Sequence, residues 1–318
     1  MESVSAATTV VTDENTRYEQ IIKNIQLALF KLKRSFFFEE FMKQMRDPEI
    51  VAQIERVTEH SKLQVVLYGI GELEPTKHER EAEVSHLQLA FVILLKERFE
   101  WVNDIAVYDP CVSPLEQKAI SAFDCTFLAV NEFGRRTVDR PTLFFLPHCP
   151  ALLVNNILSA NWTTANLNKI IVLGNSFSEI KDDLSRGCKV LTYFKHLMAI
   201  LHSDKMVTEI QLPQPQTEIE RVRDYREAKL RDKMIKMSQI LLPQPEIERV
   251  RDDPEAEILA QQYESGLYKR PGVYRTAFSE MSWHFFPYNR SLEDLNLNMF
   301  PESIPNNRRH DLMFLRGK

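Results

Sequence analysis

Apolar residues recur with a helical period near the start of the chain. Between Tyr18 and Leu32, apolar positions repeat at three- and four-residue intervals with Lys and Glu between them, which predicts an amphipathic helix. The pattern permits that helix to extend through residues 36–45. Pro48 predicts a break, because its ring removes a backbone donor and crowds the preceding turn.

From Leu63 onward the apolar residues come in short continuous runs instead. Five runs have the composition of buried strands, over residues 63–68, 104–108, 125–130, 142–146 and 169–173. Helices are predicted over residues 86–99, 114–123 and 151–160, with Ser113 as an N-cap and Pro114 at the first helical position. Because continuous apolar strands separated by helices are typical of a sheet covered on both faces, we predict an α/β fold with a three-layer, Rossmann-like core and a mostly parallel sheet.

These changes of pattern divide the chain into five segments. We predict a disordered tail over residues 1–16, an N-terminal helical segment over 17–59, the α/β core over 60–205, a charged duplicated insertion over 206–265 and a C-terminal segment over 266–318. The last segment regains aromatic content at Trp283–Pro287. Because aromatic side chains bury the largest area per residue, we expect this motif to return the C-terminal segment to the core as a closing strand or anchor.

The charged insertion contains an internal duplication. Leu212–Pro215 with Glu218–Asp224 recurs as Leu242–Pro245 with Glu246–Asp252. Two copies are too few for a solenoid, which needs about three to bury a continuous core. Apolar positions at helical spacing lie between the copies among charged residues. Two interpretations fit this composition: a charged surface insertion with one or two helices, or a partner-binding arm that orders on contact.

Charge and cysteine usage exclude several classes of function. The net charge of −5 provides no global positive field for nucleic acid or anionic lipid. The four cysteines lie in or beside apolar segments, as reduced and buried thiols do. The neighbours His148 and Cys149 offer two ligands where structural zinc uses four, so we expect no metal site.

The sequence also lacks the pattern of a targeting or membrane segment. Residues 1–15 are polar and acidic, without the basic and apolar regions of a signal peptide. The longest uninterrupted apolar run, Leu89–Leu95, is far shorter than the roughly 20 residues that cross a bilayer. We therefore expect the protein to remain in the cytoplasm or to enter the nucleus, with no membrane association.

Eight short segments follow one another in a fixed order along the core. They are Leu67–Gly71, His86–Leu89, Val107–Pro110 with Glu116 following, Asn131–Gly134, Pro147–Cys149, Asn155–Asn156, Asn161–Trp162 and Gly174–Phe177. Together with Ser282–Trp283 near the end, they resemble the family named after the plant "sensitivity to red light reduced" protein. The resemblance implies a regulator linked to light signalling and circadian-clock input in plants, and to clock-gene expression and control of haem biosynthesis in animals. It implies no catalytic mechanism, and the duplicated insertion is not part of the family's pattern.

The loop after the first predicted strand is a candidate ligand-binding segment. Gly69 and Gly71 lie where doubly wound folds point backbone N–H groups at anions. The loop has only the first two glycines of the GxGxxG pattern, since residue 74 is Glu. Glu72 and Glu74 would also repel a phosphate. A tight turn that needs positive φ explains the same glycines equally well.

Further polar residues fall at or beyond the ends of the predicted strands. Asp109 closes the second strand, where an acidic side chain commonly holds ribose hydroxyls, although an Asp-Pro turn explains it too. Polar residues gathered at one rim of a sheet can form a pocket. The remaining ligand-binding candidates at this rim are Glu132, His148, Asn155, Asn161, Asn175 and Ser176.

Two members of this set also have catalytic potential. His148 could act as a general base, and Ser176 could act as a nucleophile if a base approached it. Ser176 lacks the GxSxG elbow of hydrolases. Side chains of these types more often satisfy loop backbone groups than catalyse.

Two functions therefore remain open. The first is a regulatory protein that acts through protein partners, with the Rossmann-like core as scaffold or as sensor of a small-molecule or nucleotide ligand. The second is an uncharacterised nucleotide- or cofactor-binding enzyme that uses the rim around Gly69, Asp109, Glu132, His148 and Asn175. The fold cannot decide between them, because this architecture hosts many functions, and the sequence identifies no particular cofactor.

Overall fold

The computed structural model describes residues 2–59, 61–74, 79–186, 194–203, 206–214, 273–287 and 297. The strands in this part of the chain are β1 (Leu63–Tyr68), β2 (Val102–Tyr108), β3 (Cys125–Phe127), β4 (Thr142–Leu146), β5 (Ile170–Asn175), β6 (Thr208–Gln211) and β7 (Met281–Phe285). The helices, numbered over the described residues, are α1 (Glu2–Lys33), α2 (Phe36–Gln44), α3 (Pro48–Thr58), α4 (Glu79–Arg98), α5 (Pro114–Ser121), α6 (Ala151–Ala160), α7 (Thr164–Leu167), α8 (Phe177–Ser185), α9 (Lys195–Leu201) and α10 (Val273–Phe278).

The seven strands form one sheet in the order β3-β2-β1-β4-β5-β7-β6. Every pairing among β1 to β5 is parallel, which confirms the predicted α/β fold with a mostly parallel sheet. β7 runs antiparallel between β5 and β6. The aromatic segment around Trp283 is therefore a strand of the sheet, and the short β6 was not predicted because its Thr-Glu-Ile-Gln sequence has no continuous apolar run.

Alternate residues of β1, β2, β4 and β5 enter two hydrophobic cores, one on each face of the sheet. In β1, Val65 and Leu67 pack with α1 to α5 and α10, whereas Val66 and Tyr68 pack with α6, α8 and α9. This alternation follows from the two-residue period of a strand. Because helices cover both faces of the sheet, the sequences of these strands are continuous apolar runs.

The N-terminal helices pack on the same core as the sheet. The helix predicted from Tyr18 stops at Lys33, and Ser35 caps a separate α2 by accepting the backbone N–H of Phe38. The break predicted at Pro48 is present: α2 ends at Gln44, and α3 begins at Pro48 with Asp47 as its N-cap. A proline at the first helical position leaves no intrahelical hydrogen bond unmade. α1 begins at Glu2, within the segment predicted as a tail.

Several sequence predictions fall beyond the described residues. The second copy of the duplication and the helical stripe between the copies lie in the undescribed segment 215–272, and so does most of the first copy. The interpretations of that segment therefore stay predictions, as do the five segment boundaries. No helix among the described residues is long and apolar enough to cross a membrane.

Candidate functional site

The strand order creates a topological switch point at β1, beyond the carboxyl ends of the parallel strands. From β1 the chain proceeds outward to β2 and β3, and it then returns to place β4 on the other side of β1. The parallel strands β1, β2, β4 and β5 all end at the same edge. In open α/β sheets ligands bind beyond these carboxyl ends, where the strand order reverses.

Backbone N–H groups of the loop after β1 donate hydrogen bonds to other parts of the protein. The N–H of Gly69 donates to the carbonyl of Tyr108 at 3.2 Å, and that of Gly71 donates to Asp109 Oδ2 at 2.9 Å. Further along the loop, the N–H groups of Leu73 and Glu74 both donate to Glu116 Oε1. These four donors therefore hold the loop against β2 and α5 and do not form a phosphate cradle.

Both glycines adopt left-handed backbone conformations, with φ of +75° at Gly69 and +78° at Gly71. A Cβ atom at Gly69 would lie 2.5 Å from Cys149 Sγ, a distance that Cβ atoms essentially never adopt. The Cys149 thiol in turn donates to the carbonyl of Tyr68 at 3.2 Å, and burial raises its pKa to about 12. The turn and the packing of β1 against the segment after β4 together explain the need for glycine at position 69.

Asp109 joins the loops that follow β1 and β2. It is 5% exposed, and it accepts the N–H of Gly71 on Oδ2 and that of Cys111 on Oδ1, the latter at 2.7 Å. An ionised carboxylate offers about four acceptor sites on its two oxygens. These two bonds orient Asp109 and leave it with capacity to accept further hydrogen bonds.

Glu116 makes a second buried carboxylate contact with the same loop. It is 2% exposed, and besides the two loop donors it accepts the N–H of Ser113 in a capping box at the start of α5. The Ser-Pro-Leu-Glu spacing predicts this capping role. No local signal predicts that the same carboxylate also fixes the loop after β1.

Glu132 lies in the connection between β3 and β4 and belongs to a polar cluster with Tyr68 and Arg136. The Tyr68 hydroxyl donates to Glu132 Oε2, and Arg136 binds both carboxylate oxygens at 2.9 Å. Burial, together with the adjacent carboxylate, raises the pKa of Tyr68 well above its usual range. Glu132 therefore anchors its loop to the last residue of β1, next to Gly69.

His148 and Asn175 carry buried polar atoms at the same edge. His148 follows β4 with φ of +52°, and its Nε2 has no hydrogen-bond partner among the described residues. Burial lowers the pKa of His148, although the backbone of Thr276 and Ala277 opposes that shift. Asn175 ends β5 and donates to the Cys149 carbonyl at 3.1 Å, while its Oδ1 is buried without a partner in the described structure.

Two predicted site residues are engaged in contacts that stabilise the fold. Asn161 is fully buried; it accepts the Val138 N–H and donates to the carbonyls of Arg136 and Ile157. Asn155 accepts the N–H groups of His196 and Leu197 at the start of α9. These bonds occupy both amide hydrogens of Asn161 and both acceptor sites of Asn155 Oδ1, so neither residue is included in the proposed ligand site.

Ser176 takes part in a buried network that sequence reasoning did not identify. Its hydroxyl donates to Glu209 Oε1 at 2.7 Å, and Glu209 also accepts the N–H of Phe177. His284, which is fully buried and stacked on Phe177, places Nε2 3.5 Å from Glu209 Oε1. Desolvation raises the pKa of Glu209, but His284 and the hydroxyls of Ser176 and Ser282 outweigh it and lower that pKa to about 2. Because Ser176 contacts the carboxylate and not the imidazole, this is not the arrangement of a serine hydrolase.

The network lies on β6 and β7, which are distant in sequence from Ser176. His284 lies within an aromatic run and Glu209 within a charged region, and neither position has a motif that indicates a partner. No group of three or more His, Cys, Asp or Glu side chains in the described part of the chain could hold a metal ion.

Comparison with known proteins identifies relatives of the chain. A family model described as the SRR1 domain matches residues 42–285. The protein SENSITIVITY TO RED LIGHT REDUCED 1 of Arabidopsis thaliana is 37% identical over 185 residues, which are 58% of this chain and 65% of that protein. The SRR1-like proteins of Mus musculus and Drosophila melanogaster are each 33% identical, over 39% and 36% of this chain and 48% and 38% of their own lengths.

The chain thus spans less than two-thirds of the length of each of these relatives. No solved structure matches it significantly. The family model covers most of the chain, including the whole described sheet. The protein therefore belongs to the SRR1 family.

Proposed function

We propose that this protein regulates clock-gene expression, haem biosynthesis or both, through protein partners, and that it senses a small ligand at the carboxyl edge of its sheet. Membership of the SRR1 family supports a regulatory role, and the name of the Arabidopsis relative refers to a response to red light. The residues of the proposed ligand site are Gly69, Gly71, Asp109, His148 and Asn175, together called the rim below.

The single observation that carries the ligand part of the proposal is the position of Asp109. It lies at the end of β2 beside the topological switch point, with a carboxylate oriented by two backbone N–H groups. Ligands of doubly wound folds bind there, and an acidic side chain in that position commonly accepts hydrogen bonds from a sugar. A rigid acceptor favours binding because little freedom is lost when the ligand arrives.

The test is rescue of cells of the source organism that lack the protein. Transcript rhythms of clock genes and total haem are measured over two days in constant conditions, after return of the wild-type chain, Asp109→Asn or Glu116→Gln. Glu116→Gln is the matched control, because it also removes a buried carboxylate that holds the loop after β1. We expect the wild type and Glu116→Gln to rescue and Asp109→Asn to fail, at equal protein abundance.

The outcomes separate the two parts of the proposal. If loss of the protein changes neither rhythm amplitude nor haem, the regulatory role is refuted. If Asp109→Asn rescues as well as the wild type does, regulation stands and ligand sensing through Asp109 is refuted. If both variants fail equally, the defect belongs to the loop and the assignment of Asp109 is again refuted.

Catalysis at the same rim is the second candidate function. The imidazole of His148 provides the observation that favours it. Its imidazole is desolvated, its pKa is lowered, and its Nε2 has no partner in the described structure. A neutral imidazole at the edge of a ligand site can accept a proton from a substrate. His148→Gln that binds ligand normally but abolishes turnover of that ligand would support the enzyme, whereas no turnover by the wild type would refute it.

A further inference from the structure

The loop after β1 is built so that it does not receive a phosphate. Phosphate-binding loops of α/β folds leave several backbone N–H groups directed at the anion. In this protein Gly71 directs its N–H at Asp109, and Leu73 and Glu74 direct theirs at Glu116. A phosphate at this position would therefore meet carboxylates in place of donors.

Among the described residues, the side-chain charges around the loop also disfavour an anion. Glu72 is exposed beside Gly71, and α4 begins with Glu79 and Glu81 in its first turn. The N-terminus of a helix attracts anions, but these side chains already supply negative charge there. Arg17, a cation in contact with the loop, is paired through two hydrogen bonds with Glu74.

Asp109 has the chemistry that a ribose diol requires. Each of its carboxylate oxygens accepts one backbone N–H, which leaves an acceptor site on each oxygen. Two neighbouring hydroxyls can therefore donate to the two oxygens of one carboxylate. An acidic residue in a comparable position accepts a hydrogen bond from the ribose of dinucleotides in doubly wound folds.

Two aromatic residues lie at the ends of β2 and β3. Tyr108, the residue before Asp109, and Phe127, at the end of β3, are both half-buried, with ring centroids 5.9 Å apart. Aromatic side chains of this kind provide stacking surfaces for planar bases.

We propose that the rim binds a nucleoside with a free ribose diol and no phosphate, such as a nucleoside thioether or sulfonium. The inference rests on the ligand-sensing role proposed above and specifies its ligand class. The negative charge of the loop suits a neutral or cationic ligand and opposes nucleotides and dinucleotides.

The test is calorimetric titration of the purified full chain with a defined panel. The phosphate-free probes are the four ribonucleosides, S-adenosylmethionine and S-adenosylhomocysteine, and the phosphate-bearing probes are ATP and NAD. We expect binding by at least one phosphate-free probe and about tenfold weaker or no binding by ATP and NAD. Binding by none of the phosphate-free probes, or tighter binding by ATP or NAD, would overturn the inference.

Two matched comparisons test the role of the diol. The 2′,3′-dideoxy form of the nucleoside that binds should bind about tenfold more weakly, because hydrogen bonds to a charged acceptor are lost. Asp109→Asn should lower the affinity for the parent nucleoside to a similar extent. Glu116→Gln, which loosens the same loop, should leave that affinity unchanged. Equal affinity of the dideoxy form, or equal loss in both variants, would overturn the assignment of Asp109 to the diol.

Failure of this inference is distinguishable from failure of the proposed function. A rim that binds only phosphate-bearing probes refutes the ligand class, while the cellular defect of Asp109→Asn still supports ligand sensing. Conversely, nucleoside binding by a protein whose loss changes neither rhythm nor haem leaves the ligand class intact and refutes the regulatory role.

Discussion

Replacement of Gly69 by alanine should destabilise the protein through two separable effects. A left-handed conformation costs an L-residue about 1–2 kcal/mol, and Gly69 has φ of +75°. The new Cβ would also lie 2.5 Å from Cys149 Sγ, and overpacking of this kind costs about 1–3 kcal/mol. The expected loss in the free energy of unfolding is therefore about 2–5 kcal/mol. Cys149 is 6% exposed and hydrogen-bonded to Tyr68, so it has little room to move away.

Gly71→Ala is the matched control, because it shares the left-handed backbone but not the steric clash. Its φ is +78°, and its Cβ would lie 3.2 Å from Ser85 Oγ, the end of a side chain that can rotate. We expect a cost of only about 1–2 kcal/mol for this variant. Equilibrium urea unfolding measures both values from the midpoint at constant slope.

A double-mutant cycle isolates the contact with the thiol. In a Cys149→Ala background the Sγ atom is absent, so Gly69→Ala should cost about 1–3 kcal/mol less than in the wild type. The reasoning is refuted if Gly69→Ala costs no more than Gly71→Ala, or if the cycle shows no coupling between positions 69 and 149.

Two further predictions concern buried polar groups away from the rim. Desolvation lowers the pKa of His86 from 6.5 to about 4, with Lys31 contributing in the same direction and the backbone of Leu73 opposing. As pH falls from 6.5 to about 4, the unfolded chain binds a proton at His86 that the native protein does not bind. The free energy of unfolding therefore decreases by about 3 kcal/mol over this range. His86→Leu should reduce the loss measured by urea unfolding between pH 7 and pH 4 by that amount, and an unchanged pH profile would contradict the desolvation argument. Asn161→Ala should cost about 3 kcal/mol, because it leaves buried backbone groups at Val138 and Arg136 unpaired. Asn155→Ala, which removes a helix cap with longer bonds, should cost about 1 kcal/mol, and equal costs in the two variants would contradict this ranking.

Local signals in the sequence predicted the elements of the core closely. β1, β4 and α6 have the predicted bounds, because each is an apolar run enclosed by turn or cap residues. Ser113 and Pro114 begin α5 as predicted. Pro48 marks a break as predicted, because α2 ends at Gln44 and α3 begins at Pro48. Asp47 supplies the N-cap at which the chain resumes a helix after that break.

The ligand-binding role of the rim stays a prediction, although the strand ends that carry its residues lie together. The order of strands and helices indicated that Gly69, Asp109, His148 and Asn175 would follow strand ends, and the sheet places those ends at one edge. The glycine loop was considered as an anion site because its backbone donors were assumed to be available. The donors contact Asp109 and Glu116, which lie about 40 residues away in sequence, and no local pattern reports such pairings.

The sequence by itself determined which segments form strands and helices, the family to which the chain belongs, and the presence of polar residues after the strands. Those properties follow from periodicity, capping and short motifs, which act over a few residues. Only the tertiary structure decided that β7 runs antiparallel between β5 and β6, that Ser176 contacts Glu209 near His284, and that the loop donors face carboxylates. The physical reason is that strand pairing and buried hydrogen bonds join groups far apart in the chain, whose partners are chosen by packing of the whole sheet and not by their neighbours in sequence.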